Sequence, residues 1–282
     1  MKKKRIITSV IFHIVLFTAV LFILYPFVFM ISGALKTDLE MNRHILRLIP
    51  REVTLDNFKT LFETIPFWKQ FANSFCVAAI AAVFAMLVDG LVAYGFTRFE
   101  FKGKGILMSL ILATMLIPPQ VLMVPQFQMY KNLGLFGTYI PLIVPALINA
   151  FGIFLLCQIM GQIPMDLYES AMIDGYGELK IFLKIAIPLS KAGIGIQGVL
   201  TFMNTWNDFM TPLIYLNAEE KYTLPIGLMR LQSFYKISYG APLAGALLSC
   251  VPVIVILAVV GQKYFVKGLM AGAVKGGFLQ KG

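Results

Sequence analysis

Six stretches of this chain are long and apolar enough to cross a bilayer, and that excludes most ways of folding it. A hydrocarbon core about 30 Å thick is crossed by about 20 predominantly apolar residues in a helix. Thr8–Leu35, Phe71–Thr97, Ile106–Phe127, Thr138–Met160, Leu189–Leu216 and Ala241–Gln262 all meet that length. In lipid the backbone must satisfy its own hydrogen bonds, so segments of this kind form helices. The expected class is an all-α membrane protein with six transmembrane helices. Composition agrees: 59% of the residues are hydrophobic and 13% charged, against about 25% charged in soluble domains. The first stretch, after "MKKKR", is longer than the roughly 7–15-residue apolar run of a signal peptide, and no A-x-A site follows, so it reads as a retained helix.

Lysine and arginine set orientation, because they accumulate on the cytoplasmic side. With the N-terminus inside, fourteen of the 24 fall inside and ten outside, six of those ten in the first external loop. The expected topology is N-in/C-in. It divides the chain into a cytoplasmic N-tail (1–7), a first transmembrane helix (8–35), an external loop (36–70), a five-helix core (71–263) holding a cytoplasmic loop (164–188), and a cytoplasmic C-terminal tail (264–282). In the external loop, Phe58, Leu61, Phe62 and Ile65 follow i, i+3, i+4, i+7 and form one apolar helical face ahead of Trp68. That helix is either a lip for an external partner or an element lying in the membrane interface.

Several functions are excluded by what is missing. The net charge of +10 is scattered over short loops rather than gathered on one basic face, so no nucleic acid is expected. Cys76, Cys157 and Cys250 lie singly in apolar runs and read as small buried hydrophobes, while His13 and His44 lack a ligand pattern, so no metal is expected. No G-x-x-x-x-G-K-[ST] phosphate cradle occurs. At membrane depth only Asp89 and Asp208 are acidic, too few for a carboxylate relay. Asp89 is either a functional intramembrane acid or a bundle-facing residue bonded to a neighbouring helix beside Gly90. Energy then comes from another subunit, or the chain is a stand-alone channel or secondary carrier for small polar solutes. No cluster of His, Asp or Glu has catalytic spacing, so no catalytic residue and no enzyme activity are expected.

One polar region interrupts the apolar pattern. Asp166, Glu169, Asp174 and Glu178, four of the fourteen acids, fall within thirteen positions. Pro164 and Asp166 suit a helix start and Gly175 its stop; a second helical run follows, and Pro188 marks the start of the next membrane segment. An isolated helix of about ten residues is marginal in water and needs a groove to pack in.

The spacing Glu169-Ser170-Ala171, three residues, Gly175, nine residues, Ile185-x-Ile187-Pro188 resembles the E-A-A-x3-G-x9-I-x-L-P pattern of permease subunits of binding-protein-dependent ABC importers, with Ser170 for Ala and Ile187 for Leu. "AYGFTRFEFKGKG", "LIPPQVLMVPQF", "LGLFGTYIPLIVP", "WNDFMTPLIYL" and "QKYFVKGLMAGAVKGG" are similar to the carbohydrate-uptake-1 branch, the last to its MalG-like members. The resemblance implies a type I ABC importer permease fold in a bacterial cytoplasmic membrane. It implies a second homologous permease subunit, a cytoplasmic ATPase dimer holding ATP and Mg, an extracytoplasmic solute-binding protein and a sugar substrate, with no cofactor on this chain. The loop helix would dock in the ATPase as a coupling helix, with Glu169 making the polar contact and Ser170, Ala171, Asp174, Gly175, Ile185 and Pro188 completing the element. The tail after Tyr264 would reach the ATPase dimer interface or else fray.

The fifth stretch is the most polar at depth. In "LTFMNTWNDFM", Thr201, Thr205 and Asp208 share a helical face, with Asn204 beside them. Hydroxyls and amides exchange hydrogen bonds with sugar hydroxyls at little charge cost. The resemblance places Thr201, Asn204, Thr205 and Asp208, with Phe151 on the preceding stretch, along the translocation pathway. Direct sugar contact by Thr205 and hydrogen bonding between helices are both open readings.

Overall fold

The computed structural model describes the backbone of residues 2–234 and 239–278 and the side chains of residues 8–231 and 239–259. The described residues form helices and connecting turns, without strands. In chain order these are α1 (Lys2–Ala34), α2 (Asp38–Arg43), α3 (Asp56–Thr64), α4 (Phe67–Arg98), α5 (Lys104–Thr114), α6 (Pro119–Asn132) and α7 (Ile140–Ile143). There follow α8 (Ala150–Met160), α9 (Met165–Ile173), α10 (Glu178–Ile181), α11 (Ile187–Leu189), α12 (Lys191–Trp206), α13 (Met210–Tyr215), α14 (Leu224–Phe234) and α15 (Gly240–Phe278). The chain divides into two compact units. One joins the residues up to Trp68 with Gly227–Val251, and the other joins Lys69–Ile226 with the chain from Pro252 onward.

Among the described residues, four helical stretches are long and apolar enough to span a membrane: Thr8–Ala34, Phe67–Arg98, Ile140–Met160, which takes in α7 and α8, and Gly240–Val259. Against the six expected spans, length and composition give four, or five with one bent pair, and two of the expected stretches are divided. Ile106–Phe127 is two helices, α5 and α6, meeting at 93°. Pro118 and Pro119 cause the break: neither has an N–H to donate, and each pushes its predecessor out of the α region, so that Pro118 is extended at ψ 129. By length and composition the pair is either one broken span, which would be a fifth, or a re-entrant loop. Leu189–Leu216 is likewise divided. α12 ends at Trp206, and Asp208 Oδ1 accepts the Thr211 N–H at 3.1 Å at the start of α13. Alone, the sixteen residues of α12 reach about 24 Å, short of the hydrocarbon thickness.

In the first unit, the segment after α1 is shaped by buried polar groups. Lys36 is 1% exposed, and its Nζ donates to the carbonyls of His44 (3.3 Å), Ile45 (3.2 Å) and Arg47. Both Glu40 carboxylate oxygens accept the Arg51 N–H, at 3.1 and 3.0 Å, while Asn57 Nδ2 donates to the Ala34 and Lys36 carbonyls at 2.9 and 2.7 Å. The amphipathic helix appears as α3. Leu61 and Ile65 are buried, and Phe62 stacks on Trp68 at 5.7 Å with both rings exposed. Removing the Lys36 ammonium takes a charged donor from three carbonyls, leaving the His44 carbonyl with the Arg47 N–H, the Arg47 carbonyl with the Ser32 hydroxyl at 3.4 Å and the Ile45 carbonyl with no other donor among the described residues, so Lys36→Ala is expected to cost about 2 kcal/mol. Limited proteolysis of the detergent-purified protein should show faster cleavage between residues 36 and 53 than in the parent.

In the second unit, α12 lies close against α4. A Cβ on Gly198 would stand 3.1 Å from Met86 Cγ, and small residues of this kind let membrane helices approach. Cys157 and Cys250 are half-buried, but Cys76 is exposed, which corrects the expectation that all three are buried: it sits on the outer face of an apolar helix that lipid or a partner would cover. The expected C-terminal tail, 264–282, continues α15 as far as Phe278; its side chains, and those of the N-tail 1–7, lie outside the described residues.

Candidate functional site

The acid-rich loop begins at Pro164, the N-cap of α9. The helix stops where Gly175 takes φ +79, and the Tyr176 N–H reaches the Ala171 carbonyl at 2.9 Å while the Gly175 N–H reaches Met172 at 3.0 Å. That is a Schellman closure, which requires a left-handed residue at this position. After Gly175, α10 runs into a π-helical turn at Phe182–Ala186 and then α11, with Ile185 half-buried and Pro188 exposed.

One face of α9 is spoken for. Tyr168 and Ala171 are buried in a cluster with Tyr94, Leu156, Met160, Ile181, Phe182 and Ala186. Ala171 therefore faces the chain's own core and supports the helix, whereas the sequence reading placed it on the face offered to a partner. The opposite side is bare. Glu169, Ser170 and Asp174 are exposed, Ile173 is 87% exposed, and the Glu169 and Asp174 carboxylates have no partner among the described residues. The Ser170 hydroxyl donates back to the Asp166 carbonyl at 2.7 Å.

Sequence reasoning missed the device that anchors this loop. Arg98, the last residue of α4, pairs with Glu178 at 3.2 Å, and the Tyr94 hydroxyl donates to the same carboxylate at 2.5 Å. The guanidinium also lies 5.6 Å over the Tyr168 ring. One arginine thus ties the end of a membrane-spanning helix to both α9 and α10. Burial pushes the Tyr168 phenol up, and Arg98 partly opposes it. Arg98 had counted only as an orienting charge, because its partners lie 70 and 80 positions away in the chain and no local pattern links them.

A second feature is a cavity of about 430 Å³ between α6, α7, α12 and α13. Thr201, Asn204, Thr205 and Asp208 all line it, so four of the five proposed pathway residues come together; Phe151, 44% exposed on α8, is not among its lining residues. Gln126, Asn149, Thr211 and Tyr215 join them, none singled out in the sequence. Gln126 and Tyr215 touch through a long contact of 3.5 Å.

Behind the cavity wall lies Asp89, fully buried in α4. Its Oδ1 accepts the Asn149 N–H at 3.0 Å and its Oδ2 accepts Gln197 Nε2 at 2.5 Å; the same Gln197 nitrogen donates to Thr201 Oγ1 at 3.3 Å. Asn149 in turn caps α8, its Oδ1 accepting the Gly152 N–H at 3.0 Å. A side chain on Gly152 would run into Gln197 and come within 2.6 Å of Asp89 Oδ2, so glycine keeps that space open. Of the two readings of Asp89, the bundle-facing one matches this geometry. Two residues of the cavity wall, from different elements, hang on one carboxyl group.

A family model described as the binding-protein-dependent transport system inner membrane component matches residues 87–270, a span that holds Asp89, the acid-rich loop and the cavity. The chain belongs to this family. It is 36% identical over 255 residues to the arabinooligosaccharides transport system permease protein AraQ of Halalkalibacterium halodurans, covering 89% of this chain and 91% of the relative. The protein of the same name from Bacillus subtilis is 35% identical over 256 residues, covering 90% and 91%. Among solved structures it is similar to a chain of a bacterial ABC transporter involved in the import of the acidic polysaccharide alginate, with a TM-score of 0.77 and 25% identity over 92% of this chain and 96% of that one. This permease has the type I ABC importer fold. It is a multi-pass membrane protein and a transport component rather than an enzyme.

Proposed function

We propose that this permease forms half of the translocation pathway of an ATP-driven importer for a sugar or oligosaccharide in a bacterial inner membrane. A second permease supplies the other half, an extracytoplasmic solute-binding protein delivers the cargo, and a cytoplasmic ATPase dimer, carrying ATP and Mg, drives the cycle. The chain crosses six times, N-in/C-in, with α5 and α6 together as one broken crossing and α12 and α13 as another. The names of the relatives support the sugar class.

The observation that carries this reading is the two-sided character of α9. Its inner face is clamped to α4 through Tyr168, Arg98 and Glu178, and its outer face leaves Glu169, Asp174 and Ile173 exposed among the described residues. A helix of nine residues is too short to persist in water alone; clamped on one side, it presents a rigid edge to a groove. Movement of that edge reaches α4 through the Arg98–Glu178 pair, and α4 carries Asp89, which holds the cavity wall. A photo-cross-linker at Ile173 is therefore expected to trap the ATPase subunit in the assembled transporter, while one at exposed Met210 does not. A transporter that is active yet gives no ATPase adduct at position 173 would rule out this docking edge.

A further inference from the structure

We propose that the cavity admits uncharged saccharides and turns away uronates, and that Asp208 makes the distinction. This deepens the import reading and rests on it.

The lining holds one carboxylate and no lysine, arginine or histidine. Asp208 is fixed by the bond from the Thr211 N–H to its Oδ1, which leaves Oδ2 without a partner among the described residues. The Asn204 amide and the Thr205 hydroxyl, which also line the cavity, make no side-chain hydrogen bond among the described residues either. This is unusual for a helical threonine, whose hydroxyl commonly bonds back to the preceding turn, as Thr97 does in α4. Thr205 and Asp208 are half-buried and Asn204 is exposed, and the three free groups converge on one cavity, where the polar groups of a ligand can meet them.

A neutral sugar satisfies all three. One hydroxyl donates to Asp208 Oδ2, a charge-assisted bond of the stronger kind, and others exchange bonds with Asn204 and Thr205. A uronate brings a carboxylate into a confined space with a like charge and no counter-ion, and burying an unpaired charge is costly. Membership of the family does not decide between the two, since a relative is named for arabinooligosaccharides and a structural neighbour imports an acidic polysaccharide. The cavity's charge does.

The test uses the purified full-length permease in lipid nanodiscs, with saturation-transfer NMR on two probes of equal length, arabinotriose and trigalacturonate. The parent is expected to bind arabinotriose at least tenfold more tightly. Asp208→Asn keeps an oxygen to accept the Thr211 N–H, so its fold is preserved, and it should bring the discrimination below threefold; Thr205→Leu should weaken arabinotriose without admitting trigalacturonate. Equal binding of both probes by the parent, unchanged discrimination in Asp208→Asn, or binding of neither probe would each overturn the proposal. Failure of the ATPase cross-link at position 173 would leave these binding results untouched, so the two readings fall separately.

Discussion

Glu169→Lys is expected to abolish uptake, with at least a tenfold loss of initial rate, while the protein still inserts and purifies with an unchanged melting temperature. The Glu169 side chain is exposed and has no bonding partner among the described residues, and exposed substitutions away from packed features usually change stability by about 0.5 kcal/mol or less. The whole effect should therefore appear in association. A carboxylate at a protein interface meets donors or cations there, and reversing its charge replaces attraction by repulsion of several kcal/mol. Copurification with the ATPase reads this directly: normal recovery together with normal uptake would remove Glu169 from the coupling surface. Arg98→Ala is the informative companion. It leaves the outer face of α9 intact but frees the loop from α4, so the ATPase should still bind while its hydrolysis no longer drives uptake.

The second large effect is expected at Asp89→Leu. The change strands the half-buried Asn149 N–H and takes from the buried Gln197 amide its shorter acceptor, leaving it only the 3.3 Å bond to Thr201 Oγ1. Each unsatisfied buried donor costs about 1–3 kcal/mol, and membrane proteins satisfy polar groups with one another because lipid offers no partner. The variant should melt well below the parent in detergent and lose uptake, since both Asn149 and Thr201 shift in the cavity wall. Asp89→Asn keeps an acceptor for the Asn149 N–H and should be markedly milder. If Asp89→Leu melts and transports like the parent, the carboxyl group does not hold the wall, and the network described here is incidental to the pathway.

The acid-rich loop was legible because its rules are local. A proline start, a glycine stop and a helix of about ten residues between them are written within a dozen positions, and the structure has the helix with nine. What that reading could not assign was the side each residue faces. Ala171, which the family resemblance counted with the coupling element, is buried in the chain's own cluster with Tyr94, Leu156 and Phe182. Similarly, the 3.6-residue repeat grouped Thr201, Thr205 and Asp208 on one face, but it could not bring Gln126, Asn149 and Tyr215 to meet them from three other elements. The breaks at Pro118 and Asp208 were written in the sequence as well. A hydropathy window averages over such residues, which is why two divided stretches read as continuous.

By itself the sequence determined the membrane class, the absence of a phosphate-binding loop, the position of the polar interruption and the family spacing that runs through it. These follow from composition, length and periodicity, quantities that a linear chain carries without folding. The tertiary structure alone decided that Arg98 closes on Glu178, that Asp89 supports the cavity wall from behind, and that the cavity holds one negative charge with no positive one. Those are contacts between residues 50 to 110 positions apart. Their energies depend on burial and on distances of a few ångströms, which exist only once the helices are packed.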